Sequence, residues 1–228
     1  MNKSFFIIFS LILQGSFPLF GSNQAGIAGH DTLNRQLLYN GRVWRNLNSK
    51  VKGDPFLFSQ EFLSGTVIVN GKTFKGVKIR YDIYKDEILI LTDKIIILQA
   101  NKEMVDGFTL NYSGINYVFR NFEESDQNPL SGFVNIVYNE DTPLLVKYRK
   151  EIDTSGSDNI YGTFYQSNKV YVRKDGILTL INSRAEFLRL LKEKKAEIRK
   201  FIKTNKIKIT KTDPFSYARI LEYYDSIK

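Results

Sequence analysis

The sequence predicts an α+β domain, in which a predominantly antiparallel β-sheet is followed by a C-terminal pair of helices. Three observations support this fold class. From Phe62 to Leu180 apolar residues recur with a period of two, as in half-buried strands. Turn-forming residues separate these short runs without intervening helical patterns, which disfavours parallel βαβ units. From Ser183 onward the apolar period becomes three and four residues, as in helices. We expect the sheet to be a meander that is curved or partly barrel-like.

The first hairpin is predicted at Asn70-Gly71, between the run GTVIV and Phe74. Both central residues of a type I′ turn need positive φ, which Asn and Gly adopt readily. In the next strand, alternate residues divide into an apolar face directed at the core and a polar face directed at solvent. The apolar face comprises Val77, Ile79, Tyr81 and Ile83, and the polar face comprises Lys78, Arg80 and Asp82.

Further strands follow in the same pattern. Breaks at YKDE and TDK precede the runs 88–91 and 95–98, and GFTLNY pairs with INYVFRNF around Ser113-Gly114. GFVNIVY and PLLVKYRKEI are joined across NEDT, NIYGTFYQ forms a weak strand, and KVYVRKDGILTL turns at residues 174–176. The β-rich part is therefore expected to span residues 60–181.

Two helices are predicted in the basic C-terminal part, residues 183–228. Ser183 and Glu186 form the capping-box pattern, in which each side chain satisfies the other residue's free backbone N–H. A single helix of about five turns should follow, because its apolar residues form one stripe. That stripe comprises Phe187, Leu190, Leu191, Ile198, Phe201 and Ile202. Asp213 is expected to cap a second helix with Pro214 at its first position. Its apolar face would comprise Phe215, Ala218 and Leu221, with Tyr217 and Tyr224.

The N-terminal segment resembles a secretory signal peptide. It begins MNKSFFIIFSLILQGSFPLFGS, with one lysine, an apolar run over residues 5–13, and small and polar residues near position 22. This three-part layout is typical of export signals, and the run is shorter than the roughly 20 residues that span a bilayer. We expect residues 1–22 to be the signal peptide and residues 23–228 to be a single globular domain. A retained N-terminal anchor is the alternative. Leu33, Leu37 and Leu38 suggest a short helix, and Trp44 is expected on the main core.

Cysteine is absent from the chain. Disulfides, thiol nucleophiles and cysteine metal ligands are therefore excluded, which fits a bacterial periplasm or cell exterior better than a disulfide-stapled secreted module. The predicted location is the periplasm or the outer cell surface. No other apolar run is long enough to span a membrane, so the mature chain is expected to have no transmembrane segment.

Positive charge is concentrated in one segment. The chain has a net charge of +9, and the stretch from Arg184 to Lys211 contains eleven basic and three acidic residues. Such a segment can bind phosphate, anionic lipid or acidic glycan, although a solvated helix face is the simpler interpretation. Nucleic acid is disfavoured because the aromatic residues are not interleaved with the lysines. The predicted partner-docking residues are Lys194, Lys195, Arg199 and Lys200.

Three carboxylates lie close together in the sequence at Asp82, Asp86 and Glu87. Paired carboxylates can perform acid-base catalysis, and oxygen clusters can bind Ca²⁺. However, Asp82 is assigned to the polar face of its strand, and Asp86 and Glu87 fall in a break where acidic residues favour turns. The spacing also lacks the EF-hand pattern. A structural role is therefore favoured.

Other candidate groups carry weaker signals. His30 and Asp31 are adjacent, but neighbouring residues seldom point at each other, and the chain lacks a G-x-S-x-G elbow. Glu123, Glu124 and Asp126 lie in a predicted exposed loop. The aromatic residues, 14% of the chain, could line an apolar ligand site, but packing in strands explains them more simply. The sequence assigns no catalytic, cofactor-binding or metal-binding residue, and no cofactor is expected.

The segments GDPFLF, GTVIVNGKTFKGVKIRYDIYKDEILI and LLVKYRKEI, with the lysine-rich terminal helix, together resemble a group of exported proteins of Bacteroidota bacteria that have no assigned function. This resemblance covers most of the mature chain. It implies export and a shared fold, and it implies no site residue.

The sequence favours a non-catalytic envelope protein over an enzyme. Its partner would be an envelope protein or an anionic or apolar ligand, or the protein would have a structural role in an assembly. The alternative is a hydrolase of envelope polymers, which needs two carboxylates about 5 to 10 Å apart in a cleft.

Overall fold

A computed structural model describes residues 36–123, 125, 128–156 and 160–228. The predicted signal peptide, residues 1–22, and Leu33 lie outside these ranges. A helical turn at residues 36–38 contains Leu37 and the buried Leu38, where the short N-terminal helix is predicted.

Eleven strands in the described ranges form one antiparallel sheet. They are β1 (Gly41–Val43), β2 (Leu63–Val69), β3 (Lys72–Asp82), β4 (Glu87–Leu91), β5 (Ile97–Ala100), β6 (Val105–Tyr112), β7 (Ile115–Phe122), β8 (Gly132–Tyr138), β9 (Leu144–Asp153), β10 (Thr163–Lys174) and β11 (Ile177–Ile181). Their spatial order is β1-β5-β4-β3-β2-β6-β7-β8-β9-β10-β11. The predicted α+β class is confirmed, and the sheet remains open, with β1 and β11 at its two edges. One strand, β1, precedes residue 60, where the β-rich part was expected to begin.

The predicted hairpin turns are confirmed. Asn70 and Gly71 have φ values of 47° and 75°, so both central residues of the β2–β3 turn are left-handed. The same pattern occurs at Ser113-Gly114, with 51° and 78°, and at Asp175-Gly176, with 52° and 78°. The weak strand predicted at NIYGTFYQ is instead the first part of β10, which continues to Lys174. Pairing with β9 along ten positions holds β10 in one strand.

The first of the two predicted C-terminal helices is not continuous over five turns, because two shorter helices replace it. These are α1 (Arg184–Leu190) and α2 (Lys195–Thr204), joined by a 3-10 turn at Lys192–Lys194. Lys174 Nζ donates to the carbonyl oxygen of Leu190 at 3.0 Å and so takes the acceptor of the next helical turn. In addition, one turn beyond Leu191 the sequence provides Lys194 and Lys195, and no apolar side chain holds that turn on the sheet.

The caps agree only in part with the predictions. Ser183 Oγ accepts from the N–H of Glu186 at 3.1 Å, whereas the Glu186 carboxylate accepts from the N–H of Asn182 at 2.7 Å. The capping box is therefore present with its second partner displaced by one residue. The last helix, α3 (Phe215–Ser226), begins after Pro214 without a side-chain cap from Asp213. Ser216 closes this end instead, since its Oγ donates to the carbonyl oxygen of Asp213 at 2.6 Å.

The three helices cover one face of the sheet. In β8, β9 and β10, alternate residues enter two different apolar clusters, as the pleat requires. Phe133, Val146 and Val172 join a main core that also contains Phe187 of α1 and Ile198 of α2. The intervening residues form a small second cluster on the other face. That cluster comprises Leu130, Val134, Leu145 and Tyr171.

The sheet is strongly curved. Four strand-to-strand steps separate β3 from β8, which would be about 19 Å in a flat sheet. Nevertheless, the rings of Tyr81 on β3 and Phe133 on β8 are 5.8 Å apart. Phe108 and Phe119 stack at 4.6 Å beside them. The sheet's own curvature therefore encloses these aromatic side chains in the main core, and the prediction that Tyr81 and Ile83 face the core is confirmed.

Asp225 anchors α3 to the turn between β8 and β9. Its Oδ1 accepts from Thr142 Oγ1 at 2.6 Å, and its Oδ2 accepts from the Thr142 N–H and from the Tyr138 hydroxyl, both at 3.0 Å. Lys228 Nζ lies 3.1 Å from Oδ1. Burial acts to raise the pKa of Asp225, but these donors outweigh it and lower the pKa below its ordinary value.

We predict that Asp225→Ala destabilises the fold by about 2 kcal/mol, because it leaves the buried Thr142 donors unpaired. Urea denaturation measures the change in the free energy of unfolding. The control is Glu222→Ala, which removes an exposed carboxylate from the same helix and should leave stability within about 0.5 kcal/mol. Equal stabilities of the two variants would contradict the assigned anchor.

Candidate functional site

The turn between β3 and β4 brings together the three carboxylates that the sequence singles out. Asp82 ends β3, Asp86 closes the turn, and Glu87 begins β4 opposite Asp82. Asp86 has a φ of 59°, a left-handed conformation that Asp and Asn tolerate better than most residues. The three side chains have different surroundings.

Asp82 is not on a solvated face as predicted, because only 2% of its surface is exposed. The segment before β2 covers it, and Phe56 forms an isolated bridge with it. Its Oδ1 accepts from the N–H groups of Tyr84 and Lys85, each at 3.0 Å. Burial raises the pKa of Asp82, and the two backbone donors oppose that shift only partly. This carboxylate therefore holds the turn together.

Asp86 is the centre of a polar cluster in the interior of the curved sheet. Its Oδ1 accepts from the Tyr81 hydroxyl at 2.5 Å. Its Oδ2 lies 3.0 Å from Lys102 Nζ and 3.4 Å from Lys147 Nζ, and it accepts from the Phe133 N–H at 3.3 Å. We call Tyr81, Asp86, Lys102 and Lys147 the Asp86 cluster. It joins β3, the β5–β6 connection, β8 and β9 through one carboxylate.

Gly132 allows this approach. Its φ is 82°, and a Cβ there would lie 1.9 Å from Asp86 Oδ2 and 3.0 Å from Lys147 Nζ. Lys147 Nζ also donates to the carbonyl oxygen of Ser131, immediately before this glycine. The backbone at β8 is therefore shaped around the carboxylate and the ammonium group.

Burial shifts the pKa of two other members of the cluster, Tyr81 and Lys147. It raises the pKa of Tyr81 well above its ordinary value, and the neighbouring Asp86 charge adds to the shift. Burial also lowers the pKa of Lys147, although Asp86 acts in the opposite direction. Tyr81 thus remains a neutral donor, as its hydrogen bond to Asp86 requires.

Glu87 lies at the margin of the same turn. Arg42 Nη2 on β1 is 3.8 Å from Glu87 Oε1, while Oε2 is buried and has no hydrogen-bond partner among the described residues. Burial raises the pKa of Glu87. The three carboxylates therefore do not converge on a shared cleft, because Asp82 binds the turn and Asp86 binds the Tyr81 hydroxyl and two lysines.

A groove with a volume of about 820 Å³ lies beside this cluster. Its walls include Arg42, Gln99, Lys102, Asp106 and Asn121. The amide of Asn121 donates to the carbonyl oxygens of Lys102 and Val105, both at 2.9 Å, and Asp106 Oδ2 accepts from the N–H of Gly71 at 2.6 Å. Several polar wall groups thus hold neighbouring backbone in place, and their arrangement does not define a reaction.

Arg80 occupies an aromatic site on the other face of β3. Its guanidinium carbon lies 4.0, 4.5 and 5.3 Å from the ring centres of Phe56, Phe62 and Trp44. Nη1 donates to the carbonyl oxygen of Gln60 at 2.6 Å. Burial lowers the pKa of Arg80, with Asp82 and Asp54 acting against the shift. The placement of Trp44 on the main core is therefore wrong, because its half-buried ring packs against Phe56 and this cation.

The predicted docking residues lie on α2 and the turn before it. Lys195, Arg199 and Lys200 are exposed, and Lys194 is half-buried. None of the four forms a salt bridge or side-chain hydrogen bond within the part of the chain that the structure describes. On the opposite side of α2, Ile198 and Ile202 are buried in the main core. The surface formed by Lys195, Arg199 and Lys200 is called the α2 basic face.

The remaining candidates give no site. His30, Asp31, Glu124 and Asp126 lie outside the described residues, and Glu123 is exposed. Within the described ranges, no group of three or more His, Asp or Glu residues could hold a metal ion. The helices of the described ranges are all too short or too polar to cross a bilayer. The aromatic residues Tyr81, Phe108 and Phe119 are fully buried, in agreement with a core role.

Comparison of the chain with protein-family models, with curated proteins and with solved structures finds no match.

Sequence reasoning identified Asp86 but not its partners. Lys102 and Lys147 are 16 and 61 residues away from it in the chain, so no local pattern connects them. One signal was available, since Lys147 interrupts the apolar run LLVKY on a strand whose neighbours are buried. A lysine at such a position usually has a carboxylate partner, because an unpaired charge is costly to bury.

We predict that Asp86→Ala lowers the free energy of unfolding by about 2–3 kcal/mol, because it leaves the Tyr81 hydroxyl without its acceptor and the half-buried ammonium group of Lys147 without its carboxylate partner. Asp175→Ala is the matched control, since Asp175 has a similar φ of 52° but lies exposed in a hairpin turn. This control measures only the cost of placing alanine at a positive φ. Chemical denaturation should show the larger loss for Asp86→Ala, and equal losses would reject the cluster's role.

The raised pKa of Asp82 predicts that its contribution to stability changes with pH in the opposite direction to that of a carboxylate in an ordinary ion pair. Its folded-state pKa lies above the ordinary value of 3.8, so the ionised form costs stability at neutral pH, and this cost disappears as the pH falls below 3.8. Asp82→Asn should therefore be at least as stable as the wild type at neutral pH. The difference in stability between Asp82→Asn and the wild type should become smaller as the pH falls toward 3.8.

Asp82→Ala separates charge from hydrogen bonding, because it removes the acceptor for the two backbone N–H groups. We expect a loss of about 1–2 kcal/mol at neutral pH. Thermal or urea unfolding of the three proteins between neutral and acidic pH measures both effects. A large destabilisation by Asp82→Asn at neutral pH would contradict the assignment.

Proposed function

We propose that the protein is an exported, non-catalytic envelope protein that binds an anionic partner through the α2 basic face. Export to the periplasm or outer cell surface is supported by the N-terminal signal pattern and by the absence of cysteine. Membership of the group of Bacteroidota exported proteins is part of the same proposal. Nucleic acid is not proposed as a partner.

The observation that carries the proposal is the set of unpaired cations on α2. Lys195 and Arg199 are four residues apart, as are Arg199 and Lys203, and all are exposed. Like charges at this spacing destabilise a helix by about 0.2–0.5 kcal/mol per pair. The only acidic residue in this helix is Glu197. No described contact within the chain offsets this repulsion. An anionic partner bound at the α2 basic face would offset it.

The lysines in the interior differ from those on α2. Lys102, Lys147 and Lys150 each contact a carboxylate of a distant segment, and Lys174 joins Glu193 to the end of α1. These four hold elements together. The cations of the α2 basic face have no such role in the described chain, which supports a role at the surface.

The geometry does not favour the alternative of a carboxylate-pair hydrolase. Asp82 is buried and engaged by the turn, and Asp86 is engaged by Tyr81 and two lysines. Neither is directed into an open cleft with a second carboxylate, and we therefore do not propose a catalytic role for this cluster.

We predict that the triple variant Lys195→Glu, Arg199→Glu and Lys200→Glu loses at least about tenfold in partner recovery from a cell-envelope extract, because the three reversals replace attraction with repulsion. Binding of the wild type should weaken as ionic strength rises, since exposed charges are screened. Quantitative pull-down, with the bound partner identified by mass spectrometry, measures the loss.

The control variant carries Lys75→Glu, Lys78→Glu and Lys94→Glu. It makes the same change in net charge at exposed positions outside α2. It should recover the partner as the wild type does. Recovery that is unchanged by the α2 triple variant, or that is reduced equally by both triple variants, would overturn the proposed role of the α2 basic face.

A further inference from the structure

The outer edge of β11 is open in the part of the chain that the structure describes. Strand β11 pairs with β10 on one side and ends the strand order on the other. Its sequence, ILTLI, contains no charged residue and no proline. Proteins usually protect an edge with such residues, because unpaired backbone groups invite another strand to pair with them.

The hairpin geometry identifies the unpaired backbone groups. Lys174 and Ile177 flank the two-residue turn and form a hydrogen-bonded pair, so the pairing type alternates from there along the strand. Leu178 and Leu180 consequently direct their N–H and C=O groups away from β10. The N–H of Arg173, opposite Leu178, donates to the carbonyl oxygen of Pro143 at 3.0 Å. It therefore points away from β11, as expected for a pair that is not hydrogen-bonded.

A groove of about 580 Å³ runs beside this edge, between β11 and α1. Its apolar part is formed by Ile177, which is 69% exposed, and by Leu190. An added strand would place alternate side chains against this surface. The groove therefore offers both backbone pairing and apolar contact.

The charged groups of the groove favour an acidic occupant. Glu193 pairs with Lys174 at 2.9 Å, and Glu186 accepts from the Asn182 N–H. Asp175 lines the turn end of the groove, whereas Arg189 and Lys192 are exposed on its α1 side and neither forms a salt bridge among the described residues. In the sequence, Lys194 and the α2 basic face follow directly after Glu193.

We propose that β11 binds an extended acidic peptide segment of a partner protein by β-strand addition. The segment pairs with the outward backbone groups of Leu178 and Leu180. Its apolar residues contact Ile177 and Leu190, and its acidic residues meet Arg189 and Lys192. Backbone pairing gives such complexes their affinity, and the side-chain contacts give them specificity. This inference rests on the proposed binding function and adds the partner's chemistry and a defined point of contact.

The test uses the full mature chain and a synthetic peptide, Asp-Glu-Val-Thr-Val-Thr-Val-Asp-Glu, with a fluorescent label. We expect a Kd of about 1 mM or tighter by fluorescence anisotropy. A peptide with lysine in place of every acidic residue should bind at least about tenfold more weakly. Amide hydrogen exchange followed by NMR should show new protection of Leu178 and Leu180 on peptide addition, whereas Thr179 and Ile181 are already protected by β10.

Two pairs of variants locate the contact. Leu180→Pro removes an outward N–H and should weaken binding by about tenfold, whereas Leu180→Ala keeps that donor and should weaken it less. The double variant Arg189→Glu with Lys192→Glu should also lose about tenfold, and the double variant Arg199→Glu with Lys200→Glu should not. If Leu180→Pro fails to fold, the charge variants and the wild-type exchange pattern still decide the outcome.

Absence of binding at millimolar peptide, equal binding of the lysine peptide, or no added protection at Leu178 and Leu180 would overturn the β11 assignment. Binding that is lost only in the Arg199→Glu and Lys200→Glu variant would overturn it as well, while leaving the proposed α2 docking role intact. The two proposals therefore fail separately.

Discussion

The curvature of the sheet is the constraint on which the rest of the structure depends. It brings the end of β3 onto β8 and β9, although three strands lie between β3 and β8 in the spatial order. The curvature is held on its inner side by the rings of Tyr81, Phe108, Phe119 and Phe133 and by the Asp86 carboxylate. A backbone hydrogen bond from the Lys150 N–H to the carbonyl oxygen of Ile83, at 3.1 Å, fixes the same contact from β9. Apolar packing thus supplies the attraction, and the polar contacts fix the relative position of the strands.

The parts of the fold that were predictable from the sequence are those set by neighbouring residues. The Asn70-Gly71 turn, the apolar face of β3 and the start of α1 each depend on a few adjacent side chains. The helix break at Leu191 depends on Lys174, which belongs to a different hairpin, and no helical pattern reveals it. The burial of Asp82 likewise depends on a covering segment around Phe56 that pairs with the strand from outside. Asp86 was identified as a candidate, but its partners come from distant strands that only the curvature brings together.

The lysine and arginine residues discussed above fall into two groups. One group contacts distant segments of the chain, and the other is exposed on the surface of α2. Internal lysines connect carboxylates and carbonyl groups of distant segments, and Arg80 is enclosed by three aromatic rings. The α2 basic face adds positive charge one 3-10 turn after α1, the helix that borders the groove beside β11. For the proposed acidic partner, this placement combines long-range electrostatic attraction, which speeds encounter, with directional backbone groups on β11. Composition alone shows only that the segment is basic, and the distinction between the two kinds of cation requires the structure.

The strand order also has a consequence for folding. Strands β2 to β5 pair in chain order, and so do β6 to β11, so each set is a meander whose strands are connected by loops of two to nine residues. The two meanders meet along β2 and β6, where Gly65 brings the backbones so close that a Cβ would lie 2.0 Å from the carbonyl oxygen of Thr109. Local hairpins form quickly, whereas pairing of distant segments must first overcome the entropy of loop closure. We therefore expect β2 to pair with β6 after the hairpins within each meander have formed, and the tight backbone approach at Gly65 favours the correct register of that pairing.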